Sequence, residues 1–135
     1  MSRPGDHLDP RYRRAIAALH LGDYDAAARD LEDVTSRDPK YDSHRALALL
    51  AHAHANRGDR QRAAALFEQA TEASTLSETY INYATFLASQ GKTAEARSWA
   101  ERVLARRPSM PRYLQRRERP WFRKAKALLK RQPRG

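Results

Sequence analysis

The chain has 135 residues, no cysteine, three phenylalanines and two tryptophans, with 26 basic against 16 acidic side chains for a formal net charge of +10. That length suits one small domain with a thin, mostly aliphatic core, and the missing cysteines exclude a disulfide framework, a thiolate zinc site and a cysteine nucleophile. No run approaches the roughly 18 apolar residues of a membrane span and the first residues lack a secretion signal, so a soluble, cytoplasmic protein is expected, with abundant Ala and Arg pointing to a bacterial host.

Residues 1–8 read as a flexible N-terminus. Asp9-Pro10 then has the form of a cap followed by a first-turn proline, opening a helix over 10–21. Gly22 ends it, Asp23 caps a second helix over 24–36, and Pro39 closes the pair. The pattern returns at Gly58 and Gly91, spaced by 36 and then 33 residues. It predicts helices over 43–57 and 60–73, then over 78–90 and 93–106, the last stopped by Pro108. Five residues after each glycine comes an alanine, Ala27, Ala63 and Ala96. Leu31, Phe67 and Ala100 follow four positions later, and Val34, Ala70 and Val103 three beyond those, which is one helical face. Leu47, Leu50, Ala51 and His54, and likewise Tyr80, Tyr83, Ala84 and Leu87, form the corresponding face upstream of the glycine. The expected core is Leu31, Val34, Leu47, Leu50, Ala63, Phe67, Ala70, Tyr83, Ala84, Leu87, Ala96 and Val103.

Leu47, Leu50, Ala51, Gly58, Ala63, Phe67 and Ala70, with Tyr80, Tyr83, Ala84, Gly91, Ala96 and Pro108 in the next unit, resemble the tetratricopeptide repeat (TPR) family. The likeness covers about residues 9–108, divided near 9–41, 42–76 and 77–108. It implies an all-α fold of three helix-turn-helix repeats stacked as a right-handed solenoid, with residues 109–135 as basic C-terminal capping helices and tail. The first repeat departs from the motif, with Arg11 and Arg14 at its two large apolar positions. A terminal repeat has no neighbour on one side, so polar substitution is tolerated there.

Catalytic parts are missing. No glycine-rich phosphate loop, nucleophile elbow or kinase signature occurs. His7, His20, His44, His52 and His54 form no metal-binding pattern, and His52 and His54, two apart on a helix, point away from each other. No cofactor or metal is expected, and the protein is not expected to be an enzyme. The resemblance instead implies that the first helix of each repeat lines a concave groove for a peptide or protein partner. Helical spacing would place Tyr12, Ile16, Leu19 and His20 there, then Arg45, Leu49, His52 and Asn56, then Glu78, Asn82, Thr85 and Ser89. Some members of the family grip a terminal carboxylate with Lys, Asn and Arg at these positions. Here Tyr12, Ile16, Leu49, Glu78 and Asn82 stand in the clamp, so that use is not carried over.

The charge excess is confined to the end of the chain. Residues 106–135 hold 12 basic side chains and one acidic, Glu118, whereas residues 1–105 hold 14 and 15. Two short helices are predicted there, about 111–118 and 120–131, the second started by Pro120. On the second, Trp121, Phe122, Ala125, Leu128 and Leu129 share an apolar face, with Arg123, Lys124, Lys126, Lys130 and Arg131 as a basic surface. The apolar face suits a cap over Trp99, Ala100 and Val103. The basic surface supplies the alternative function, binding of nucleic acid or of an anionic surface.

Overall fold

The computed structural model describes residues 8–131. Among them are seven α-helices and no strand: α1 (Leu8–His20), α2 (Tyr24–Arg37), α3 (Arg45–Arg57), α4 (Arg60–Ala73), α5 (Ser77–Ser89), α6 (Thr93–Ala105) and α7 (Arg112–Arg131), with a short 3-10 turn at Arg107–Ser109. The expected flexible N-terminus and the last residues of the tail lie outside the described residues. Leu8 is the exception, since it begins α1 and is buried. The chain divides into two compact units, Met1–Ser74 with α1 to α4 and Thr75–Gly135 with α5 to α7.

The turns form for local reasons. Gly58 ends α3 at φ 87°, a left-handed conformation closed to most side chains, and its N–H returns to the carbonyls of Ala55 and His54. The same turn recurs at Gly22 and Gly91. Asp23 then accepts from the Ala26 N–H at 3.2 Å and Asp59 from the Arg62 N–H at 3.3 Å, so each capping aspartate satisfies a donor that the first helical turn leaves open.

In the first unit α2 packs against α1 and α3, and α3 against α2 and α4. Leu31, Val34, Leu50 and Phe67 are fully enclosed, as the heptad-like spacing requires, while Leu47 is only half-buried. The helix expected from residue 43 starts at Arg45, because Asp42, Ser43 and His44 take φ of 54°, 53° and 72°, a left-handed run that precludes a right-handed helix.

In the second unit α6 lies against both α5 and α7. Ile81, Ala84, Leu87, Ala96, Ala100 and Val103 share one core with Phe122, Ala125 and Leu128 of α7. Tyr83, expected in that core, is half-buried at its edge, its ring 5.3 Å from that of Trp99.

The two predicted tail helices are a single helix of 20 residues with Pro120 inside it. Proline there removes the N–H that would bond the Arg116 carbonyl, and its ring crowds the preceding turn. Tertiary contacts offset that loss on both sides of the proline. Phe122, Ala125 and Leu128 are buried against the rest of the unit, Ser77 donates to Glu118 at 3.0 Å, and Gln115 donates to the carbonyls of Arg107 and Met110 at 3.1 and 2.9 Å.

Candidate functional site

Polar contacts in the first unit occupy positions where the repeat pattern calls for apolar packing. Arg14 donates from Nε and Nη2 to the two carboxylate oxygens of Asp30, at 2.8 and 2.7 Å, and Arg11 pairs with Asp33. Asp30 is 9% exposed. The two-pronged bond from Arg14 holds its carboxyl below the usual aspartate range, against the opposing effect of burial. α1 therefore carries an Arg14 fork and an Arg11 ion pair to α2 in addition to its buried Leu8 and Tyr12.

His54 is buried, as its place in the packing set implies. Its Nε2 faces Glu32 Oε1 at 3.2 Å and its Nδ1 faces Arg57 Nη1 at 3.3 Å, so the ring bridges a carboxylate and a guanidinium. Glu32 also accepts from Arg62 Nε at 3.0 Å. No cluster of three or more metal-ligating side chains occurs among the described residues.

The residues expected on the inner face of the first helices divide by burial. In the first unit Ile16, Leu19, Arg45 and His52 are half-buried, and His20 and Asn56 are exposed. Tyr12 and Leu49 are buried. Tyr12 donates to Asp42 Oδ2 at 2.7 Å and meets the Tyr41 ring edge-on at 5.0 Å, so it braces the left-handed turn. Leu49 is enclosed because α3 has a helix on either side, and a second stripe of its surface is covered. The Tyr24 and His52 rings meet edge-on at 6.2 Å, and Asn56 donates to the His52 carbonyl at 2.9 Å. In the second unit Glu78 and Asn82 are half-buried, and Thr85 and Ser89 are exposed. The hydroxyls of Thr85 and Ser89 bond back to the carbonyls of Ile81 and Phe86, at 2.9 and 2.6 Å.

α7 is dense in basic side chains. Arg107, Arg112, Arg116, Arg119, Arg123 and Lys126, with Gln115 and the edge of Phe122, line an open groove of about 410 Å³. Along the helix the cations recur at steps of four, three, four and three residues, which keeps them on one face. The side chains of Arg112, Arg116, Arg119, Arg123 and Lys126 are exposed and make no hydrogen bond or ion pair among the described residues. Glu118, the one acidic residue of α7, is engaged by Ser77. Like charges at these spacings disfavour a helix by about 0.2–0.5 kcal/mol per neighbouring pair, so the stripe costs on the order of 1–2 kcal/mol.

Of the basic surface expected from the sequence, Arg123 and Lys126 line this groove. Lys124 lies over the Trp121 ring at 4.7 Å from its centroid, and Lys130 and Arg131 are exposed in the last turn without lining it. Arg107, Arg112, Arg116 and Arg119 were not assigned to that surface. The helix break expected at Pro120 would separate them from Arg123, and the 4-3-4-3 spacing from Arg112 to Lys126 appears only when the helix runs through the proline.

A helical-repeat protein is the class these paired helices, glycine turns and small-residue faces define. The model for the tetratricopeptide repeat matches residues 12–78 and 49–111, most of the chain, and the protein belongs to that family. No curated protein and no solved structure gives a significant match. Tetratricopeptide repeats are typically non-catalytic scaffolds that mediate protein–protein interactions. No helix among the described residues is long and apolar enough to cross a membrane.

Proposed function

We propose that the protein is a non-enzymatic adaptor of the bacterial cytoplasm that binds a peptide or protein segment on the first helices of its repeats. The observation that carries this reading is the family match together with the partial exposure of Ile16 and Leu19 on α1. Those aliphatic groups of α1, with His20 on the same helix and the polar His52 and Asn56 on α3, are neither core nor purely solvated. In the second unit, taken by itself, Glu78 and Asn82 of α5 are half-buried and Thr85 and Ser89 exposed, which leaves a polar face on that helix. Tyr12 and Leu49, being enclosed, are left out of the proposed contact surface.

The test compares captured partners for wild type and an Ile16→Glu, Leu19→Glu, His52→Ala variant, with helicity checked by circular dichroism. The expected result is loss of the specifically captured proteins from the variant while its helicity is retained. Recovery of the same proteins by both baits would place the contact elsewhere.

A further inference from the structure

We propose that the groove along α7 is a second interaction surface, built to hold an acidic helical segment of a protein partner. Three observations converge on it. The groove is lined by six cations, and the five on α7 have no counter-charge of their own. Five of the six are arginines, whose planar forks take carboxylates two-pronged. The stripe from Arg112 to Lys126 extends about 21 Å, and its average step of 3.5 residues is the repeat with which one helix follows another. A helix with Glu or Asp at alternate steps of three and four would face every cation in turn.

The aromatic rings distinguish this partner from a nucleic acid. Arg102 covers the Trp99 ring, Arg106 the Tyr80 ring and Lys124 the Trp121 ring, at 4.3, 4.4 and 4.7 Å from the centroids, and Phe122 is buried. Tyr113 is the exposed large aromatic of α7, and it does not line the groove. A surface for single strands offers rings on which bases stack, whereas this groove offers cations and Gln115, its one ring being the buried Phe122 with Arg107 over it. A lipid surface is disfavoured as well. The apolar face that would enter a membrane is already packed in the core of the second unit.

The probe is a fluorescent peptide of about three heptads with Glu at the a and d positions, set against a scramble of the same composition. Single-stranded and duplex oligonucleotides are measured alongside at about 150 mM salt. The patterned peptide should bind roughly tenfold tighter than the scramble, the sum of several modest ion pairs. Changing Arg112, Arg116, Arg119, Arg123 and Lys126 together to Gln should abolish the difference. Changing Arg117, Lys124, Lys130 and Arg131 to Gln should preserve it. Charge reversal of the stripe to Glu should transfer the preference to a Lys-patterned peptide, which keeps the test independent of any loss of fold in the Gln variant. Equal binding of peptide and scramble, equal loss in the two Gln variants, or stripe-dependent oligonucleotide binding tighter than that of the peptide would each overturn the proposal.

Discussion

At the scale of single residues, the pair between Arg14 and Asp30 links folding to pH. The carboxyl of Asp30 is depressed below its ordinary value of 3.8, chiefly by the hydrogen bonds from Arg14. Protons therefore bind the unfolded chain first, and the stability that Asp30 contributes is complete above about pH 4 and declines as pH falls through the folded value. Urea midpoints measured from pH 6 down to pH 2 should show this as a steeper acid decline in wild type than in Asp30→Asn. Parallel curves would refute the depression assigned to the Asp30 carboxyl in the folded protein. The sequence exposes this pair only by half. Arg11 and Arg14 are visible as departures from an apolar pattern, but their partners lie on another helix, and nothing local in the chain points to Asp30 or Asp33. The capping aspartates are the opposite case, because Asp23 and Asp59 bond to N–H groups three residues away.

At the scale of elements, α7 sets local propensity against tertiary packing. Pro120 is an ordinary start signal for a helix, and the expected break follows from that rule. The break is overridden because residues on both sides of the proline are anchored to the same unit, Gln115 and Glu118 before it, Phe122 and Ala125 after it. Pro120→Ala restores a backbone donor to the Arg116 carbonyl and should stabilise the protein by up to about 3 kcal/mol, less the greater freedom the unfolded chain acquires. A lowered urea midpoint would show that the proline is needed for the path of the helix. The turn before α3 was equally hidden from the sequence, since Asp and His visit the left-handed region as single residues and nothing local announces a run of three through Asp42, Ser43 and His44.

At the scale of the whole molecule, two compact units of different character share one chain. The first is held by Phe67, Leu31 and Leu50 with the Arg14 fork at its start, and the second by a helix hairpin closed with α7. Phe67→Ala should cost about 3–5 kcal/mol, since the ring is fully enclosed. Hydrogen exchange should accelerate in residues 8–74 more than in residues 75–131. A cost below about 1 kcal/mol would refute the packing assigned to Phe67. The repeat period, the glycine turns and the small-residue faces made the helix pairs readable in advance, because they are local and periodic. The proposed surfaces were less accessible, because enclosure of Tyr12 and Leu49 and the union of two arginine groups across Pro120 depend on neighbours distant in sequence.

The uncompensated stripe on α7 also dictates how the molecule behaves outside any biological setting. A carboxylated sensor chip or a sulfonated bead is itself a dense array of anions, and it will seize the protein by this helix. Attachment of that kind fills the groove before a ligand is added, so an acidic partner would register as a non-binder on such a chip. Tethering through the N-terminus to an uncharged support leaves the arginines open for measurement.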